Sequence, residues 1–162
     1  MDEKIRAVAI TVSDRCASGA AEDVSGAILI ECLQAAGAEI IEKLVVSDDF
    51  MPLVETLQKN ADRAAVNLIV TTGGTGFAPR DTTPEATRRV IEREAPGLAE
   101  AMRTESLKIT PTAMLSRAVC GIRGNCLIIN LPGAPAAVRE CFAVIAPVLA
   151  HAINLLAGNT KH

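Results

Sequence analysis

The stretch Val66-Asn67-Leu68-Ile69-Val70 is short, mostly apolar and branched, and it runs straight into Thr71-Thr72-Gly73-Gly74-Thr75-Gly76. A run of this length that ends in a turn signal reads as a strand buried on both faces, the kind found inside parallel sheets. The glycines behind it free the backbone to turn sharply and to approach a ligand closely. Pro79-Arg80-Asp81-Thr82-Thr83-Pro84-Glu85 follows at once, with Thr82 and Glu85 at capping-box spacing and Pro84 suited to the first turn of a helix. A helix start presents bare N–H groups that attract anions, phosphate above all. Asp81 in the same place would repel a phosphate unless a metal ion lay between them, so loop and carboxylate together point to phosphate plus Mg²⁺. The plain alternative is a connecting loop with Asp81 as a helix-start charge. The loop matches neither a Walker A motif nor a dinucleotide fingerprint.

The rest of the chain supplies the partners such a strand needs. Ile5 to Val12 reads as a central strand, followed by a loop of small and polar residues, Ser13 to Gly19. Ile28, Leu29, Cys32, Leu33 and Ala36 fall at helical spacing, with Gly37 as a stop. Glu39 to Val46 is the second strand, and Asp48 or Asp49 can cap a helix whose apolar face is Leu53, Val54, Leu57 and Ala61. Two shorter helices split by Pro96-Gly97 follow the glycine loop. Ala118 to Ile122, a Gly124-Asn125 turn and Cys126 to Leu131 then read as a hairpin that adds one antiparallel strand to the sheet. A final helix carries Val138, Phe142, Ile145, Leu149, Ile153 and Leu156 on one face, with Pro147 expected to kink it. The alternation of strands and helices predicts one α/β domain over residues 1–162, with a mixed, mainly parallel sheet and helices on both faces.

Composition narrows the function. Hydrophobic residues make up 49% of the chain, but it contains three Phe and no Trp or Tyr, so the core must be aliphatic. That scarcity, with a net charge of −3, argues against nucleic acid as a partner. The five cysteines are scattered without a Cys-x-x-Cys pair, which fits neither a zinc site nor a disulfide framework and suits a reducing cytosol. Met1 to Lys4 lacks the start of a signal peptide. The apolar stretch Cys141 to Ala157 contains Pro147, His151 and Asn154 and reads as a buried helix, not a membrane anchor.

In a doubly wound sheet, ligands bind beyond the carboxyl ends of the strands. The loops expected there carry Ser13, Asp14 and Arg15, then Asp23, Ser25 and Gly26 at the next helix start. Ser47, Asp48 and Asp49 follow the second strand, the glycine loop and Asp81 the third, and Pro132 and Gly133 the last. Each has an ordinary reading as well. Asp14 can satisfy loop backbone groups, Asp23 can be a helix cap, and Arg103 and Arg117 can be solvated surface charges. His151 and His162 are poor catalysts, one inside an apolar helix and the other at the terminus. No serine–histidine or cysteine–histidine arrangement stands out.

These motifs together resemble the molybdopterin adenylyltransferases of molybdenum cofactor biosynthesis, over about Ile5 to Leu156. The similarity lies in Thr11-Val12 ahead of Ser13-Asp14-Arg15, Asp23 with Ser25-Gly26, Asp48, and Thr71 to Gly76 with Pro79-Arg80-Asp81 and Thr83-Pro84-Glu85. It continues in Met102-Arg103 with Ser106, Leu115-Ser116-Arg117, and Asn130-Leu131-Pro132-Gly133. The resemblance implies a three-layer molybdopterin-binding fold, usually trimeric and cytoplasmic. It implies transfer of AMP from ATP to the terminal phosphate of molybdopterin with Mg²⁺, and delivery of the product to a molybdate-inserting partner enzyme. On the same ground Asp48 and Asp81 would be the acidic pair that serves metal and nucleotide. Thr72, Gly73, Gly74, Thr75 and Gly76 would hold phosphates, while Arg80, Ser106, Ser116, Arg117, Pro132 and Gly133 would join the substrate-binding set. The competing reading is a non-catalytic molybdopterin-binding or scaffold protein of the same fold.

Overall fold

The computed structural model describes residues 2–160. Six strands form one sheet: β1 (Arg6–Val12), β2 (Glu39–Val46), β3 (Leu68–Thr72), β4 (Arg93–Glu94), β5 (Cys120–Arg123) and β6 (Cys126–Leu131), in the order β2-β1-β3-β6-β5-β4. β1, β2, β3 and β6 pair in parallel, while β5 pairs antiparallel with both β6 and β4. The hairpin and its reversed strand are thus present as expected, and the short edge strand β4 is an addition that its two exposed residues did not announce. Among the described residues six α-helices, α1 (Asp14–Ala17), α2 (Val24–Ala35), α3 (Phe50–Ala61), α4 (Thr83–Val90), α5 (Pro96–Leu107) and α6 (Pro135–Leu156), and a 3-10 turn over Pro111–Leu115 accompany the sheet.

Alternation along the strands decides which helix meets which face. Ala7 and Ala9 of β1, Leu68 and Val70 of β3, and Leu127, Ile129 and Leu131 of β6 face a core shared with α2, α5 and α6. Val8, Ile10, Ile69 and Ile128 face the opposite core, closed by Leu53, Val54 and Leu57 of α3 and Ala86 and Val90 of α4. The central strands are therefore apolar on both sides, which is why they read as continuous apolar runs. α6 is long and apolar enough to cross a membrane by length and composition. Here its Val138, Phe142, Ile145, Leu149 and Ile153 are buried against the sheet, and the helix runs through Pro147 from Pro135 to Leu156.

Several local expectations change. The segment after β1 is not all loop: α1 forms there, with the Ser13 side chain accepting from the Cys16 N–H at 3.2 Å. β3 begins two residues later than predicted and takes in Thr71 and Thr72. Just before it, Asn67 still bonds both neighbours through its backbone, its N–H donating to the Arg6 carbonyl at 3.1 Å and its carbonyl accepting from the Leu127 N–H at 3.0 Å, while its side chain accepts from the Arg6 N–H at 2.8 Å and donates to the Lys4 carbonyl at 2.9 Å. The capping box at Thr82 and Glu85 does not form. Thr82 Oγ1 donates instead to the Asp48 carbonyl at 3.2 Å, and Glu85 is taken by Arg117. Pro96 opens α5 rather than breaking a helix, which suits a proline whose missing N–H has no intrahelical partner at that position. His151 lies exposed on α6, not buried, and His162 falls outside the described residues.

Candidate active site

The strand order reverses between β1 and β3: β2 lies on one side of β1, and the rest of the sheet lies on the other. At the carboxyl end of that junction the β1, β3 and β6 loops come into contact. Gly73 (φ 103°) and Gly74 (φ 68°) make the turn out of β3. A methyl group on Gly73 would lie 2.3 Å from the Val12 carbonyl oxygen, and one on Gly74 would lie 2.3 Å from Thr83 Oγ1 and 3.2 Å from Asp48 Oδ1. The loop therefore needs glycine for both its angles and its packing. Gly133, after β6, stacks on Gly73, and Thr72 Oγ1 donates to the Pro132 carbonyl at 2.7 Å. Thr72 is thus a buried tie behind the loop.

Arg117 sets the outer half of the loop. Its N–H donates to the Thr75 carbonyl, its Nε to the Gly76 carbonyl and its Nη2 to the Asp81 carbonyl, each at 2.8 Å, and its Nη1 pairs with Glu85. It is half-buried, not a solvated charge, and its guanidinium binds the loop rather than open space. Asp81 Oδ2 accepts from the Ala78 N–H at 3.1 Å, which closes the turn that carries it.

The carboxylates converge from three strand ends. Asp14 and Asp48 exchange bonds: each backbone N–H donates to the other's carboxylate at 3.0 Å. Arg80 reaches across with two bonds to Asp14, at 2.6 and 2.9 Å, and one to Asp49 at 2.9 Å. The hydrogen bonds from Arg80 hold the Asp14 and Asp49 carboxyls below the usual range, helped at Asp14 by the Asp48 N–H and at Asp49 by Ser47. Asp48 moves the other way. Burial pushes its carboxyl up, and the neighbouring charges of Asp14 and Asp81 add to the effect against the Asp14 N–H and Arg80. Asp49, not Asp48, occupies the N-cap position of α3, without a capping bond from its side chain. Asp23 does cap α2, accepting from the Gly26 N–H at 2.9 Å, and it also accepts from Thr11 Oγ1 at 2.8 Å. Gly26 is buried against those two side chains, Ser25 Oγ donates to the Gly133 carbonyl, and Arg15 is exposed on α1.

The glycine loop divides two cavities. The first, about 420 Å³, is walled by Gly74 to Gly76 and Asp81 on one side, with Met102, Arg103, Ser106, Ser116 and Cys141 on others. The second, about 460 Å³, is walled by Ser13, Asp23, Ser25, Asp48, Gly73 and Gly74, and shares Asp81 and Gly133 with the first. Among the described residues, no group of three or more His, Cys, Asp or Glu side chains gathers to hold a metal alone. The buried thiols of Cys120 and Cys126 are pushed up to about 12 by desolvation, which leaves them inert.

Two residues acquire roles that the sequence reading did not give them. Asn130 is fully buried, accepts from the Val119 N–H at 3.1 Å, and donates to Thr71 Oγ1 at 3.0 Å and Thr87 Oγ1 at 2.9 Å. Its signal was an amide inside an otherwise apolar strand. Arg103, read as a surface charge, is half-buried on the wall of the first cavity. No local pattern separates such an arginine from a solvated one.

In doubly wound α/β domains, cavities beyond the carboxyl ends of the strands at the switch point are the usual place for a small-molecule ligand. The chain belongs to the molybdopterin-binding domain family: residues 8–151 match the family described as "Probable molybdopterin binding domain". It is 43% identical over 152 residues to the molybdopterin adenylyltransferase of Helicobacter pylori strain J99, covering 93% of this chain and 86% of that one. It is 45% identical over 161 residues to the molybdenum cofactor synthesis protein cinnamon of Drosophila melanogaster, covering 98% of this chain but only 27% of that longer protein. Among solved structures it superimposes on the molybdopterin biosynthesis enzyme MoaB of Thermus thermophilus with a TM-score of 0.89 and 45% identity, over 95% and 97% of the two chains.

Proposed function

We propose that this chain is an adenylyltransferase of molybdenum cofactor biosynthesis, moving AMP from ATP to the terminal phosphate of molybdopterin and releasing pyrophosphate. The observation that carries the reading is the glycine loop set between two cavities, with Asp48 and Asp81 on its flanks. Two substrates placed on either side of one phosphate-binding loop can bring their phosphates together over it. The bond that forms joins a molybdopterin phosphate oxygen to the α-phosphorus, and the bond that breaks is the one from that phosphorus to the β-phosphate bridge. The attacking oxygen is already an anion at neutral pH, so no general base is required, in keeping with cavity walls that hold no histidine among the described residues.

The obstacle is repulsion between phosphates, and between phosphates and the carboxylates. Asp48 and Asp81 offer hard oxygen donors, and Asp48 is pushed up chiefly by burial, with the charges of Asp14 and Asp81 adding to it. That donor set fits Mg²⁺, which is commonly held by one or two carboxylates with substrate phosphates completing its shell. Bound there, the ion would neutralise developing charge on the phosphate oxygens. Backbone N–H groups of Gly74 to Gly76 would orient the phosphates, since those of Gly73 and Thr83 are already donated to the Leu131 and Gly74 carbonyls. Ser13, Asp14, Ser25 and Arg80 would border the nucleotide, and Ser106, Ser116, Pro132 and Gly133 the pterin.

The same reading makes the protein a cytoplasmic homotrimer that hands adenylated molybdopterin to a molybdate-inserting enzyme. Exposed apolar side chains such as Phe77, Ile109 and Met114, at 61–67% exposure, support self-association. Light scattering should give three times the chain mass at micromolar concentration, and a monomer mass would remove the assembly proposal. The activity is tested by incubating protein with molybdopterin, ATP and Mg²⁺. Pyrophosphate release that requires all three is expected, whereas molybdopterin binding without release would leave a scaffold protein.

A further inference from the structure

The first cavity has one basic side chain on its wall, Arg103. It projects from α5 on the same helical face as Ala99, Met102 and Ser106, which also line the cavity. Its Nη1 donates to the carbonyls of Ser116, at 3.3 Å, and Ala118, at 3.1 Å, so the head group is pinned to the segment leading into β5. Both acceptors are neutral. The two other arginines that border the loop are matched by carboxylates, Arg80 by Asp14 and Asp49, and Arg117 by Glu85. Among the described residues Arg103 has no such partner, although it is half-buried, and a charge withdrawn from water is ordinarily paired.

The guanidinium has five donors, and its bonds to the protein use a single nitrogen. The rest remain for a group inside the cavity. An anion with two or three acceptor oxygens suits that fork best, and phosphate is the common case. The glycine loop forms part of the same wall, so a phosphate on Arg103 would lie where backbone N–H groups are also at hand. The rest of the lining is largely apolar, with Ala99, Met102, Leu115 and Cys141, and suits a flat heteroaromatic body. Both cavities carry carboxylates, Asp81 and Glu140 in the first and Asp23, Asp48 and Asp81 in the second, but among the described residues only the first has a basic side chain on its wall.

We infer that Arg103 is the substrate-binding cation of the first cavity, holding the terminal phosphate of the acceptor pterin while its Nη1 stays pinned to Ser116 and Ala118. The inference rests on the adenylyltransferase reading and sharpens it, because it assigns the acceptor and not the nucleotide to this arginine. Arg103→Gln removes the charge together with the brace, because its amide nitrogen stands where Nε does and ends short of Nη1, so the salt dependence of molybdopterin binding, which loss of a brace alone would not move, separates the two roles.

The test is to titrate wild type, Arg103→Gln and Arg103→Lys with molybdopterin, and separately with Mg-ATP, at low and high NaCl. Arg103→Gln should weaken molybdopterin binding at least tenfold and lose most of its salt dependence, with ATP binding unchanged. Arg103→Lys should fall between, keeping the charge without the fork. If Arg103→Gln does not fold, the Lys variant carries the comparison alone. Unchanged molybdopterin affinity, or a loss confined to ATP, overturns the assignment while leaving the adenylyltransferase reading intact. Wild-type protein that binds no molybdopterin overturns that reading and this inference with it.

Discussion

Asp14 and Asp48 lie 34 positions apart, yet each accepts a hydrogen bond from the other's backbone N–H at 3.0 Å. This reciprocal pair ties the carboxyl ends of β1 and β2 and fixes where the Asp48 side chain begins. Its other carboxylate oxygen, Oδ1, is left beside Gly74 of the phosphate loop.

Asp48→Asn and Asp81→Asn should each stop transfer without unfolding the protein. In both, the amide oxygen can still accept the backbone bond that the carboxylate accepts now, from Asp14 and Ala78 respectively. What disappears is one negative charge toward the metal. A fall of about 10²–10³-fold in pyrophosphate release is expected, the scale of removing one electrostatic contact from a transfer site. Molybdopterin binding should persist. Near-normal release from either variant would reduce that carboxylate to a loop fastener.

Asp48→Asn should also be slightly more stable than wild type at neutral pH. Burial and the charges of Asp14 and Asp81 raise the folded-state pKa, so the folded protein binds that proton more tightly than the unfolded chain does. The ionised carboxylate therefore subtracts from stability above the folded pKa, and the deficit fades as pH falls through it. A gain of up to about 1 kcal/mol is expected for a group still partly solvated. Asp14 and Asp49 have the opposite sign: Arg80 lowers them, so their support is complete above pH about 4 and is lost as pH falls through their folded values. Urea midpoints stepped down from pH 7.5 should show the variant's advantage at the higher pH and its shrinkage as the folded Asp48 carboxyl takes up its proton.

Two glycines should respond in opposite directions. Gly73→Ala would place a methyl group 2.3 Å from the Val12 carbonyl at φ 103°, a conformation and a contact that alanine resists. A loss on the order of 1–3 kcal/mol is expected. Gly97, in the first turn of α5, has open space where a methyl would go. Gly97→Ala should gain about 0.4–1 kcal/mol by restricting the unfolded chain. Urea denaturation of both variants checks the contrast.

Arg117→Lys keeps the charge but cannot reproduce contacts to the Gly76 and Asp81 carbonyls and Glu85 at once. The loop should lose its fixed position, with a drop of roughly 1–3 kcal/mol in stability from unpaired carbonyls. Because the loop borders both cavities, the apparent affinities for ATP and molybdopterin should weaken together in steady-state assays. Loss of only one would show that Arg117 contacts that substrate.

Much of this molecule was settled by local pattern. The doubly buried strands, the helix faces of α3 and α6, the hairpin around Gly124 and the glycine loop are readable because apolar periodicity and turn chemistry act within a few residues. Asp48 and Asp81 could be nominated because strand ends in such sheets point to one edge. What no local pattern holds is the partner of each polar group. Thr82 and Glu85 have capping-box spacing, yet Asp48 and Arg117 claim them. Asn130 joins three elements, and Arg103 turns into a cavity instead of solvent only because α5 packs where it does. A hydrogen bond is worth little net over one to water, so these pairings follow the packing of the apolar elements, which brings distant polar groups within reach and withdraws the water that would otherwise serve them.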